Sequence, residues 1–208
     1  MRYLITGGPT REPIDAVRYI SNRSSGRMAI ALCRAALDQG HEVTLLLGPC
    51  GAMPPKGVGL ERFETSADLQ QLLVGHFESC DVLIMAAAVG DFRPAKITEG
   101  KLPRSAAGAL DLHLESTPDL VAMLASRRAD HQRVIAFALE SDVHMEQRGR
   151  DKLRQKGVDA VVVNRLATIE ADSIDPVWLT ASGQREAPGA MSKTGFAKWL
   201  VERLSAAI

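Results

Sequence analysis

The sequence predicts an α/β fold: a Rossmann-like, doubly wound, mainly parallel sheet with helices on both faces and a long flap loop. Three observations carry this. Strand-like apolar runs alternate with amphipathic helical stretches along most of the chain. The runs at 82–88, 134–138 and 159–164 are continuous enough to be strands covered on both faces. The first run, Tyr3-Leu4-Ile5, leads through polar, glycine-bearing chain into a helix, and such a junction favours an anion.

In order, residues 3–5 read as a buried strand. A helix from about Ser25 to Gln39 has Met28, Ile30, Ala31 and Leu37 as apolar stations, and Gly40 stops it. Residues 42–47 are a second strand, 48–59 a loop rich in Gly and Pro, and about 60–63 a short strand. Ser66 reads as the N-cap of a helix through Leu69, Leu72 and Leu73. Residues 82–88 form a central strand. From 89 to 109 no period is evident, and this flap carries Asp91, Arg93, Lys96, Lys101 and Arg104.

Leu110, Leu112 and Leu114 alternate with polar residues, as in a half-exposed strand. Thr117-Pro118-Asp119 reads as an N-cap followed by Pro at the first helical position, opening a helix to about Arg127. Then come a strand at 134–138, a helix with Lys152 and Lys156 one turn apart, and a strand at 159–164. A short strand near 177–180, a turn at Ser182-Gly183 and a final helix capped by Ser192 complete the chain. One domain over 1–208 is the default for this length.

Hydrophobic residues make up 46% and charged residues 24%, as in a globular protein with a real core. Twenty-five basic residues balance twenty-five acidic ones, which removes any global pull toward nucleic acid or an anionic membrane. Anion recognition must therefore be local. Cys33, Cys50 and Cys80 form no C-x-x-C pair, and no apolar run is long enough to span a bilayer. Reduced thiols in a cytoplasm fit best, with Cys33 as core filler.

In such folds ligands sit beyond the C-terminal ends of the strands. Gly7 and Gly8, the segments 86–91 and 137–140, and Asn164 all fall there. The dinucleotide fingerprint is missing: the first turn is Gly7-Gly8-Pro9-Thr10, and Leu47-Gly48-Pro49 supplies no acid for a ribose. There is no P-loop and no zinc-ligand spacing, and the five histidines are scattered. What remains is a mononucleotide triphosphate held by backbone, hydroxyls and separately placed lysines. Lys101, on the loop, suits a developing negative charge, the plain alternative being a solvated lysine. Asn22 is otherwise a turn or cap residue.

The motifs then converge. The run 5–15, Ile-Thr-Gly-Gly-Pro-Thr-Arg-Glu-Pro-Ile-Asp, and the run 17–26, ending Asn22-Arg23-Ser24-Ser25-Gly26, closely resemble phosphopantothenate–cysteine ligase. The similarity continues through 87–94, Lys101, Thr117-Pro118-Asp119-Leu120-Val121, 137–140, Lys152, Lys156 and Val163-Asn164. The resemblance implies a ligase of coenzyme A biosynthesis. CTP would activate 4′-phosphopantothenate as an acyl-cytidylate, the amine of L-cysteine would then displace CMP, and Mg²⁺ would assist the triphosphate. By position it implies catalytic roles for Asn22, at the acyl intermediate, and Lys101, at the triphosphate. It implies nucleotide binding by Gly8, Ser24, Ser25, Gly26, Met85, Ala86, Ala87, Asp91, Pro118, Asp119, Leu120, Val121, Phe137, Lys152 and Lys156. It leaves the metal ligands unassigned.

Two departures stand out. Arg27 and Ala29 replace a Lys and a Gly of the family pattern, and Lys101-Leu102-Pro103-Arg104 replaces K-I-K-K. The resemblance also implies a homodimer, with a dimerisation element near the long loop to which Leu110, Leu112 and Leu114 contribute. Since the chain opens at the synthetase strand, a free-standing synthetase or an excised domain is expected. No FMN is expected in this chain, and a separate decarboxylase is a possible partner. The same reaction driven by ATP, an NAD(P)-dependent oxidoreductase, and an idle nucleotide-binding protein are the competing readings.

Overall fold

The computed structural model describes residues 1–103, 109–141, 143–169 and 171–206. Arg104 of the expected flap lies outside them. The chain opens with β1 (Arg2–Gly7), followed by a hairpin of β2 (Arg11–Pro13) and β3 (Tyr19–Ser21). Next come α1 (Arg27–Asp38), β4 (Glu42–Leu47), β5 (Gly59–Arg62), α2 (Ser66–Phe77) and β6 (Val82–Met85). A second hairpin joins β7 (Phe92–Pro94) and β8 (Leu114–Ser116). α3 (Leu120–Ala125), β9 (Arg133–Glu140), α4 (Met145–Lys156) and β10 (Ala160–Arg165) complete the parallel part. β11 (Ser173–Ile174), β12 (Val177–Thr180), β13 (Arg185–Glu186), β14 (Met191–Ser192) and α5 (Lys193–Ala206) close the chain.

The main sheet has the order β13-β12-β10-β9-β6-β1-β4-β5. From β5 to β10 every pairing is parallel, and β12 and β13 add an antiparallel edge. Counted along the chain, the parallel strands run 3-2-1-4-5-6, so the winding reverses between β1 and β6. Side chains alternate across the pleat. Tyr3, Ile5, Val43, Leu45 and Val162 pack with α1 and α5, whereas Leu4, Leu46, Leu83, Val161 and Val163 pack with α2, α3 and α4. This double burial explains the continuous apolar runs, each large aliphatic side chain contributing about 1.5–3 kcal/mol.

Several local expectations are corrected. Thr65, not Ser66, caps α2: its hydroxyl accepts from Asp68 N while the Asp68 carboxylate accepts from Thr65 N. Ser66 is the first helical residue, and its N–H goes to Glu12 Oε1 at 2.9 Å. Asp119, not Thr117, caps α3 by accepting from Ala122 N, so Pro118 precedes the helix. The Thr117 hydroxyl instead donates to Gly90 O at 2.6 Å. The central strand ends at Met85 rather than residue 88, because Ala87 N turns to Thr6 Oγ1 and Ala88 N to Gly8 O. Within the expected structureless flap, Phe92–Pro94 pairs with Leu114–Ser116; Leu110 and Leu112 are exposed and lie outside that strand.

Candidate functional site

The floor is a seam between the chain after β1 and the chain after β6, at the point where the winding reverses. Thr10 N donates to Ala88 O and Ala88 N to Gly8 O. Thr10 Oγ1, fully buried, accepts from Gly90 N at 3.0 Å. Gly8 adopts φ +76°, and a Cβ there would meet Gly48 O at 3.0 Å, so only glycine suits the crossing. Ser21 Oγ donates to Thr10 O, and Asn22 Nδ2 donates to Val89 O at 2.9 Å. That bond orients the Asn22 amide and leaves its Oδ1 as an acceptor for a ligand.

Over this seam stands the N-terminus of α1. Its N-cap, Gly26, is left-handed at φ 71° and offers no side-chain cap, so the first-turn N–H groups are open to an anion. A Cβ on Gly26 would lie 2.7 Å from Cys50 Sγ. A Cβ on Gly7 would lie 2.3 Å from the methyl of Ala29, so Gly7 is what admits Ala29 at this crossing.

A cleft of about 690 Å³ opens here. Its described wall carries five cationic side chains, Arg23, Arg27, Lys152, Lys156 and Lys193, against one carboxylate, Asp91. A chain with no net charge thus concentrates positive potential at one place. Two lysines are braced from behind. Lys152 Nζ lies 2.6 Å from Glu140 Oε1, and Arg148 lies 3.3 Å from the other oxygen. Burial opposes ionisation of Glu140, but Lys152 and then Arg148 outweigh it and hold its pKa below the usual value. Lys156 Nζ lies 2.7 Å from Asp119 Oδ2. Burial likewise opposes Asp119 ionisation, and Lys156 with the α3 N–H groups overcomes it. Arg27 reaches Asp172 at 2.6 Å, which ties the start of α1 to the chain before β11.

Of the residues expected at the site, the cleft brings together Asn22, Ser24, Ser25, Gly26, Met85, Ala86, Ala87, Asp91, Val121, Phe137, Lys152 and Lys156. Gly8 lies in the seam beneath them. Asp119 acts from behind, through Lys156; Leu120 is buried in the core, and Pro118 is exposed and outside the wall. Lys101 is exposed and outside the wall, on a segment bonded to residues 14–18. The sequence reading missed Arg23, Arg27, Lys193, Thr168, Ile169 and Ile174 as wall residues, and noted Asn164 only as a strand end. Lys193 and Ile174 arrive from the C-terminal segment, where the one local signal was the Ser192 cap.

Fold and site together define a doubly wound α/β protein with a cationic strand-end cleft. The chain belongs to the family described as DNA/pantothenate metabolism flavoprotein C-terminal domain, whose model matches residues 1–207. It is 36% identical over 217 residues to the coenzyme A biosynthesis bifunctional protein CoaBC of Mycobacterium bovis (strain ATCC BAA-935 / AF2122/97), covering 98% of this chain and 51% of that one. It is 40% identical over 166 residues to a protein named cysteine/cysteine sulfinic acid decarboxylase, from an unknown prokaryotic organism, covering 79% and 46%. The chain thus spans about half the length of these curated relatives. The solved C-terminal domain of a CoaBC protein superposes with TM-score 0.85 at 30% identity, covering 99% of this chain and 94% of that one. The family resemblance drawn from the motifs is borne out.

Proposed function

We propose that this chain joins 4′-phosphopantothenate to L-cysteine in coenzyme A biosynthesis, driven by CTP through an acyl-cytidylate. Family membership supports the reaction class, together with similarity to the solved C-terminal domain of a CoaBC protein. The observation that carries it is the cleft itself: an uncapped helix N-terminus and five cations facing one carboxylate, where the winding reverses. Such a site is built for a triphosphate.

The chemistry asks little of a strong base. A carboxylate oxygen attacks the α-phosphorus, the bond to pyrophosphate breaks, and charge neutralisation with alignment lowers the barrier. The N–H groups after Gly26, the Ser24 and Ser25 hydroxyls and the cleft cations serve that step; Lys101, which stands outside the wall, would have to reach in from the flap. In the second step the cysteine nitrogen attacks the acyl carbon, CMP leaves, and the amine loses a proton. Asn22 Oδ1, held by the bond to Val89 O, is placed to accept an N–H of the amine. Among the described residues no group of three or more His, Cys, Asp or Glu could hold a metal. Asp91, the one carboxylate of the described wall, would help hold a Mg²⁺ brought with the triphosphate, which would supply neutralisation.

A homodimer is proposed on the arm formed by the two small hairpins. Tyr19, Phe92 and Ile97 are 47%, 54% and 57% exposed there. A cytoplasmic setting accords with the free thiols, and none of the described helices is long and apolar enough to cross a membrane. The product would pass to a decarboxylase, on a separate chain or a fused one.

The test is pyrophosphate release from CTP or ATP with phosphopantothenate, with and without cysteine. Release dependent on phosphopantothenate, with CMP and amide formed only after cysteine is added, is expected with CTP. Faster turnover with ATP would overturn the CTP assignment, and no release with either would overturn the ligase reading.

A further inference from the structure

Asn164 closes β10 directly after Val161, Val162 and Val163, all fully buried. By the two-residue period its side chain shares the face of Val162, toward α1 and α5. On the same face Phe137 is held edge-on against Phe196 at 6.4 Å between centroids. Asn164, Phe137, Thr168, Ile169 and Ile174 all line the cleft, so the Asn164 amide shares its stretch of wall with an aromatic ring and two isoleucines.

That amide is 6% exposed, and its Oδ1 has no hydrogen-bond partner in the structure. Leaving a buried carbonyl oxygen unpaired is costly, and a Leu or Val would suit these neighbours without that cost. What the oxygen lacks is a donor. An aromatic wall beside an amide is also how proteins hold a nucleobase, and an Asn amide matches an amine next to a ring nitrogen, with its oxygen on the amine and its nitrogen on the ring acceptor.

The geometry points to Asn164 as a specificity-determining residue that reads the amino edge of the nucleobase, with Phe137 forming the wall beside it. The inference rests on the nucleotide reading of the cleft and deepens it. The cations of the wall take the phosphates of any nucleotide, whereas Asn164 favours cytosine or adenine, which carry an exocyclic amine, over uracil, which carries a carbonyl.

The test is calorimetric titration of the whole chain with CTP, ATP, UTP and the triphosphate of 2-pyrimidinone riboside, which is CTP without its 4-amine. The wild-type chain is expected to bind CTP about 10- to 100-fold more tightly than UTP or the deaminated analogue. Asn164→Leu is expected to lose that margin while keeping its affinity for UTP. A variant that discriminates as well as wild type would overturn the role of Asn164 and leave the nucleotide site standing. Equal wild-type affinity for CTP and the deaminated analogue would overturn it without any variant, which covers the case that Asn164→Leu fails to fold. Binding of none of the four would overturn the nucleotide reading itself.

Discussion

Asp15 Oδ2 accepts the backbone N–H of Leu102 at 3.0 Å, across 87 residues of chain. The same carboxylate accepts from Val17 N and Arg18 N at 2.7 Å and pairs with the Arg18 guanidinium, which also reaches Leu102 O. Ala16 N to Gly100 O and Thr98 N to Ile14 O extend the seam. The segment bearing Lys101 is therefore anchored on the turn between β2 and β3. The Asp15 side chain has no exposed surface. Desolvation pushes its pKa up, but the N–H groups of Val17, Leu102 and Arg18 and the Arg18 charge outweigh it and bring it down to about 2.

A carboxylate with a depressed pKa stabilises the fold above its unfolded value and loses that contribution as pH falls through the folded one. The anchor is expected to persist through neutral pH and to fail between about 3.8 and about 2. Hydrogen exchange at the Leu102 amide, compared at neutral pH and across that window, reads it directly. Asp15→Asn, with one acceptor oxygen in place of two, should expose Leu102 to exchange at neutral pH; unchanged protection would show that the flap is held by its other bonds.

Gly26 combines a left-handed backbone with a side chain, Cys50, where a Cβ would go. Gly26→Ala should cost about 1–2 kcal/mol for the conformation alone, plus whatever the contact adds. It should also weaken nucleotide binding, since the first turn of α1 would have to shift. Thermal unfolding and calorimetry measure the two effects; full stability would contradict the assigned φ of 71°.

The two half-reactions separate Lys101 from Asn22. If Lys101 serves the triphosphate, Lys101→Gln should slow pyrophosphate release by about 10²-fold, with amide formation from preformed acyl-cytidylate little changed. Asn22→Asp should do the reverse, because a carboxylate cannot donate to Val89 O as the Nδ2 of Asn22 does at 2.9 Å. Rapid-quench measurement of both steps decides, and equal losses in both would remove the assignment of separate roles.

The parallel core was legible because each strand declares itself locally: Val82–Met85 is fully buried and all apolar. So was part of the cleft, since Met85 ends β6 and Ala86 and Ala87 follow it, where ligands gather in this architecture, while Ser24 to Gly26 lead into the first helix. Two caps were misread where two candidate capping residues stood adjacent or one apart, Thr65 and Ser66, and Thr117 and Asp119, because tertiary partners chose between them. Ser66 N was claimed by Glu12 and the Thr117 hydroxyl by Gly90, each from a distant segment. The three-residue strands of the arm lack the length to show a period. Lys193 and Ile174 reach the cleft only through the C-terminal return of the chain.

The arm makes the last prediction. β2 and β7 pack together, and Tyr19 and Phe92 are left about half exposed, with the Arg11 guanidinium stacked on the Tyr19 ring at 4.5 Å. Val17 and Ile97 are more exposed still, at 61% and 57%. Exposed apolar side chains gathered on two adjoining hairpins, rather than scattered singly, suit an association surface. If two copies meet there, Phe92→Asp places a charge in a desolvated contact and should shift the protein from dimer to monomer in sedimentation at micromolar concentration. Its melting temperature should then lose its dependence on protein concentration. Wild-type protein that sediments as a monomer, or a Phe92→Asp dimer as tight as wild type, would take the interface away from this arm.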